Sequence, residues 1–305
     1  MIPSRITGPV PETTYKAPEV EGVLDLFFYR KIGFWLARIF AKIKMTPACV
    51  SLLAGLCGIV AGHLYYYRNL GINVAGMVLH VWANILDNAD GQLARLTGTS
   101  SRQGRVIDSL ADHLIFVSIY VHLTLRCLVE GASPAICLLA LAAGISHAVQ
   151  GAAADYYRTS YLYFVKGKSA DVDFATSLRA DYCALSWHAE FWQKFLIALY
   201  WNFTWQQELL SPGLKRLRET WRGSRAIENP ERLSAQYRAS ATPMFKLWGL
   251  LMNNTRMLLL FALLLLRQPV WYFWIEVTGL NLLLAYLIQR QESMARSLIE
   301  LARTG

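Results

Sequence analysis

The residues most able to do chemistry lie between Asp87 and Asp112, in DNADGQLARLTGTSSRQGRVIDSLAD. Asp87, Asp90, Gly91, Ala94 and Arg95 fall at steps of three and four, so a helix running through them sets them on one face. Gly104, Asp108 and Asp112 repeat the four-residue step. Two helix ends then each present a pair of carboxylates and a glycine. Four carboxylates held together repel one another and lose hydration, and a divalent cation removes both costs. Carboxylate ligands without a thiolate or histidine set suit a hard ion, Mg²⁺ or Mn²⁺, which in turn favours phosphate oxygens as its remaining ligands. The two glycines let a phosphate or nucleobase approach the backbone, and Arg95 supplies fixed positive charge for a diphosphate. Helix capping, or pairing with Arg95, Arg102 and Arg105, accounts for any one of these aspartates but not for the whole set at this spacing.

The elements that must position this segment are membrane helices. The 305 residues are 54% hydrophobic and only 17% charged, too little charge for an ordinary soluble domain. A spanning helix needs about 20 largely apolar residues, and six runs approach that length: 48–67, 72–86, 107–129, 134–154, 247–266 and 270–288. The second run leads directly into Asp87 and the third begins at the next pair of aspartates. Met1 to Glu21 has four prolines and no apolar core, so no signal peptide is expected there. The five cysteines lack CxxC spacing and four sit in apolar runs, which reads as packing. The fold expected is all-α, a polytopic membrane protein of about six transmembrane helices with an N-terminal interfacial amphipathic helix.

The organisation follows. After an extension over 1–21, residues 22–45 interleave Arg30, Lys31, Arg38, Lys42 and Lys44 with aromatic and apolar residues at helical spacing, as an interfacial helix does. A catalytic transmembrane core covers 46–154 and a transmembrane hairpin 247–288, with a tail over 289–305. Between them, 155–246 carries 13 Lys or Arg, 9 Asp or Glu and five tryptophans, and is read as a cytoplasmic or interfacial insertion. Within it, 187–210 is apolar but interrupted by Glu190, Lys194 and Glu208, which favours an interfacial helix over a seventh span. Lys and Arg crowd the connections on the side of the acidic segment, so that segment and both termini are expected to face the cytoplasm. The net charge of +9 suits anionic lipid and substrate; no nucleic-acid partner is expected.

The acidic segment resembles the signature of the CDP-alcohol phosphotransferase family, DxxDGxxAR, eight residues, then GxxxDxxxD. Asp87, Asp90, Gly91, Ala94, Arg95, Gly104, Asp108 and Asp112 fill every position. The resemblance covers roughly Gly22 to Tyr157, and the last two spans by topology alone. It implies a two-metal site of Mg²⁺ or Mn²⁺ held by Asp87, Asp90, Asp108 and Asp112, with Asp112 also the general base. It further implies that Gly91, Ala94, Arg95 and Gly104 line the nucleotide site, that CMP is released, and that the protein is a homodimer. One departure stands out: where the family often has Thr-Pro-Asn at the start of the first span, this chain has Thr46-Pro47-Ala48, and Ser51 where a threonine is common. Asn84 and Asn88 are the candidates to compensate.

The motif does not separate enzymes that put a polar acceptor on CDP-diacylglycerol from those that put a CDP-carried headgroup on diacylglycerol. Six spans resemble the first group, and Arg105, Arg158, Lys166 and Lys168 offer a basic acceptor pocket for a phosphorylated polyol such as inositol phosphate or glycerol phosphate. The alternative is a choline- or ethanolamine-type phosphotransferase, for whose cationic headgroup Tyr156, Tyr157, Tyr161 and Tyr163 would serve. A membrane cation transporter is the distant alternative, disfavoured because the acids cluster at one end of two helices. Arg256 and Glu276, at similar depth in the last two spans, are expected to form an interhelical pair, a role for Arg256 in the acceptor pocket being the less favoured reading.

Overall fold

The computed structural model describes residues 18–20, 22, 24–167, 174–223 and 230–304, without the side chains of 18, 102, 103, 105, 223, 230 and 302–304. Among them there is helix and no strand. Six helical stretches are long and apolar enough to cross a membrane: Pro47–Leu64, Leu70–Thr97, Val106–Val129, Ile136–Lys166, Glu231–Leu265 and Val270–Leu301. The protein is an all-α polytopic membrane protein. Backbone groups in hydrocarbon have only each other as partners, which is why apolar runs of this length fold as helices. The chain divides into two compact units, residues 1–122 and 123–305.

In the first unit a π-helical turn, Asp25–Tyr29, feeds α1 (Arg30–Lys42). One face of α1 buries Gly33, Phe34 and Ala37, while Phe27, Trp35, Ile39 and Ile43 are exposed. Helix α2 (Pro47–Leu64) starts with proline at its first position, and the Thr46 hydroxyl accepts from the Cys49 amide at 3.3 Å. Helix α3 (Leu70–Thr97) is capped by the Asn69 side chain and ends at Gly98, whose φ of +67° is a left-handed conformation that glycine adopts without strain. Asn73 ties the connecting turn by donating to the Leu64 and Tyr67 carbonyls at 3.0 and 2.9 Å.

Two close approaches fix α3 and α4 (Arg102–Val129) against their neighbours. A Cβ on Gly33 would stand 3.2 Å from the backbone of Asn88 and Ala89, so any larger residue there would press α1 and α3 apart by a few tenths of an ångström. A Cβ on Gly58 or Gly62 of α2 would collide with Ile115 or with Ser118 and Ile119 of α4. Without a hydrophobic drive between helices in lipid, such small-residue contacts supply much of the packing.

The second unit contains α5 (Ile136–Lys166), α6 (Ala175–Ala184), α7 (Phe191–Leu210), α8 (Pro212–Gly223), α9 (Pro230–Ala241), α10 (Phe245–Leu250), α11 (Asn253–Leu265), α12 (Val270–Val277) and α13 (Gly279–Thr304). Helix α5 continues past Ala154 to Lys166, because Tyr156, Tyr157, Tyr161 and Phe164 all find buried seats and Gly167 supplies a left-handed cap. Tyr157 stacks on Trp248 and its hydroxyl donates to the Ala241 carbonyl at 2.9 Å. The last two apolar stretches are both interrupted, at Leu251–Met252 and at Thr278. Helix α7 is not among the membrane-spanning candidates, and Trp192, Trp205 and Leu209 on it are exposed.

Candidate metal and nucleotide site

The acidic segment folds as the helical spacing requires. Asp87 and Asp90 occupy the last three turns of α3, and Asp108 and Asp112 the first three of α4. Carboxylate oxygens of Asp87, Asp90 and Asp108 all lie within 4.8 Å of one another, an arrangement that fits a metal ion. Asp90 is the most deeply placed, at 5% exposure, while Asp87, Asp108 and Asp112 are half-buried. Asp112 follows Asp108 by one helical turn.

The donor set passes the test for a hard divalent ion: three carboxylates converge, one of them nearly dry, and among the described residues no thiolate or imidazole joins the group. Like charges this close cost several kcal/mol unless a cation shares them.

Ser51 on α2 completes the floor. Its hydroxyl donates to Asp90 Oδ2 at 2.5 Å and lies 3.1 Å from the Pro47 carbonyl. Fixing one oxygen of Asp90 in this way orients the other. Sequence reasoning named Ser51 only as a substitute for threonine. A signal was present, since a hydroxyl inside an apolar helix needs a partner, and α2 is the helix joined by a short turn to the one bearing Asp90.

The glycines serve different ends of the site. The Arg95 guanidinium lies over Gly91, where a Cβ would sit 3.5 Å from Nη1. Around Gly104 a Cβ would meet only the Ser101 hydroxyl at 3.1 Å. That hydroxyl accepts from the Gly104 amide at 3.0 Å and so caps the start of α4. The backbone at Gly104 is otherwise open, as close approach by a ligand requires. Ala94 is half-buried on the same face of α3 as Asp87 and Asp90.

The N-terminal segment supports α3 from behind. Gln92 donates to the Arg30 carbonyl at 3.1 Å, and Asn84 hydrogen-bonds Tyr29, whose hydroxyl burial pushes above its usual range. Asn88 turns back on its own helix and donates to the Asn84 carbonyl at 3.0 Å. Asn84 is therefore engaged with Tyr29.

The basic residues expected at the acceptor end are placed as follows. The side chain of Arg105 and all of Lys168 lie outside the described residues. Arg158 donates to Asp155 at 2.7 Å, and Asp155 also accepts from Gln207 at 3.2 Å. Lys166 closes α5. In the second unit Arg256 and Glu276 do pair: Nε and Oε1 are 3.2 Å apart, both side chains are buried, and Arg256 also donates to Gln150.

Comparison with known proteins gives a consistent answer. The sequence profile described as CDP-alcohol phosphatidyltransferase matches residues 44–204. An archaetidylinositol phosphate synthase of Pyrococcus horikoshii is 34% identical over 95 residues, which is 31% of this chain and 49% of that protein. The chain thus spans about half the length of the curated relative it matches. No solved structure matches it.

Proposed function

The chain belongs to the CDP-alcohol phosphatidyltransferase family, and from that premise we propose that it moves a phosphatidyl group from CDP-diacylglycerol to a polar alcohol, releasing CMP, in phospholipid biosynthesis. The observation that carries the proposal is the convergence of Asp87, Asp90 and Asp108 at the ends of two membrane helices, with room beside the backbone of Gly104. A phosphorylated polyol such as inositol phosphate or glycerol phosphate is the proposed acceptor. The relative's name, which pairs an archaetidyl lipid with inositol phosphate, supports it.

Asp87, Asp90 and Asp108 would hold Mg²⁺ or Mn²⁺, two ions in all with Asp112 as a further ligand. Bound there, such ions neutralise the diphosphate and the charge that grows on the departing phosphate. Ser51 holds Asp90 in a fixed rotamer. Arg95, seated over Gly91, pairs with the diphosphate, and Gly91, Ala94 and Gly104 admit the nucleotide close to the helix backbone. Asp112 accepts the proton of the acceptor hydroxyl. The freed oxygen forms a bond to the phosphorus that carries diacylglycerol, and the bond from that phosphorus to CMP breaks. Arg105, Arg158 and Lys166 are the proposed acceptor-binding residues. Arg158 exchanges Asp155 for the acceptor's phosphate, so Arg158→Ala raises the KM for that acceptor and leaves the KM for the CDP donor in place.

The site and both termini are assigned to the cytoplasmic side, and the protein to a homodimer. The test is CMP release by purified protein given CDP-diacylglycerol, Mg²⁺ or Mn²⁺ and a panel of acceptors, with Asp112→Asn as control. A single productive acceptor and a silent variant support the reading. Release only from CDP-choline or CDP-ethanolamine with diacylglycerol would move the chain to the headgroup-transferring branch. Silence with every donor overturns the enzyme assignment.

A further inference from the structure

At the other end of the first unit, two histidines face each other. His63, near the end of α2, and His122, on α4, bring Nδ1 and Nε2 to 3.1 Å. The rings are nearly perpendicular, with centroids 4.8 Å apart. Fourteen residues of α4 separate His122 from Asp108, a rise of roughly 21 Å, so the pair is no part of the aspartate site.

Each ring is steadied on its far side. His122 Nδ1 lies 2.7 Å from the Ser118 carbonyl. A carbonyl only accepts, so Nδ1 carries the proton and Nε2 presents its lone pair toward His63. His63 Nε2 lies 3.3 Å from the Tyr67 hydroxyl, which can donate or accept. His63 can therefore place its proton on Nε2 and free Nδ1 without losing a partner. Two imidazole nitrogens with free lone pairs, each ring oriented by an outer hydrogen bond, make the arrangement in which histidines bind metal. Two nitrogens held at about 2.0–2.1 Å on one tetrahedral ion stand ~3.3 Å apart, close to the spacing here. His63 is exposed in the last turn of α2, and His122 is half-buried on α4 seven residues before its end.

We propose that His63 and His122 form a second metal site, distinct from the aspartates, for one divalent transition ion of the imidazole-preferring kind: Cu²⁺, Ni²⁺ or Zn²⁺. By bridging α2 and α4 the ion clamps the two helices beyond their contact at Gly62 and Ser118.

The test is a Cu²⁺ titration of tag-free, full-length protein in detergent, read by electron paramagnetic resonance, with excess Mg²⁺ present to occupy the carboxylates. One tight equivalent is expected, with hyperfine structure from two imidazole nitrogens. His122→Ala reduces this to one nitrogen and weakens binding by about 100-fold, the loss of a second donor held at high effective concentration. Tyr67→Phe weakens it by roughly 10-fold. His63→Gln, at an exposed position, provides the same loss should His122→Ala fail to fold. Equal Cu²⁺ binding by wild type and these variants, or a spectrum without two imidazoles, overturns the proposal and leaves the pair as a hydrogen-bonded contact only.

Discussion

The two units each bury charge within apolar helices, and they do so in opposite ways. In the first, carboxylates of Asp87, Asp90 and Asp108 converge, and Ser51 donates to Asp90. In the second, Arg256 and Glu276 meet between α11 and α12. Gln150 donates to the Glu276 carbonyl and to Asn281 at 3.1 and 2.8 Å, and Asn281 donates to Ser146 and the Val277 carbonyl at 2.9 and 3.0 Å. That second network neutralises its own charges and satisfies carbonyls freed where the helices break. The first brings three like charges together, a repulsion that a bound cation would offset. A buried pair of opposite charge is costly to break from one side, whereas converging like charges are an arrangement that a bound cation stabilises.

The sharpest way to break this contrast is to neutralise one residue on each side. Asp90→Asn is expected to lower CMP release by more than about 1000-fold through loss of ion and substrate positioning, with helix content and elution profile unchanged. Should Asp90→Asn keep its activity, the aspartates are not the site. Arg256→Met removes the guanidinium from buried Glu276, leaving His147 Nδ1 at 3.9 Å from the same oxygen, and costs roughly 3–5 kcal/mol of stability, read as a lower midpoint of unfolding. Replacing both partners, Arg256→Met with Glu276→Leu, restores most of that loss; a double variant as unstable as the single one would deny that the pair is self-contained.

A smaller effect separates the units by metal. Mn²⁺ at about 100 times its Kd adds ~2.7 kcal/mol to the stability of any protein that binds it only when folded. EDTA removes that gain in wild type, and Asp87→Asn combined with Asp90→Asn shows no gain to remove. A thermal shift that persists in the double variant places the ion elsewhere. Smallest is Ser51→Ala, which leaves Asp90 without its donor: about 1–2 kcal/mol of stability and a rise in the Mn²⁺ concentration needed for half-maximal activity. An unchanged metal requirement would reduce Ser51 to packing.

Much of this was legible in the sequence because helical geometry is local. The steps of three and four through Asp87, Asp90, Asp108 and Asp112 fix which side chains share a face once the segments are helical, and apolar runs of membrane length make them so. The Arg256–Glu276 pair was legible for the same reason: two charges at similar depth in adjoining spans have few partners but each other. The interruptions at Leu251–Met252 and Thr278 were not, since no proline marks them, and the carbonyls they expose are satisfied by Gln150, Asn281 and Thr255, distant or unremarkable in sequence. Nor was the continuation of α5 to Lys166, whose tyrosines read as candidates for a cationic headgroup until their seats against α9 and α10 are known.

The sequence by itself determined the membrane helices, the aspartates that face one way from two helix ends, and the family to which that pattern belongs. These follow from chain composition and from a repeat of 3.6 residues, which need no knowledge of neighbours. Only the tertiary structure decided that Ser51 holds Asp90, that Gly33 and Gly58 set how near α1 and α4 come to their partners, and that His63 meets His122. Those are contacts between residues 39 to 59 positions apart in the chain, and their identity depends on how side-chain volumes interlock between helices, a property that no periodicity along one helix contains.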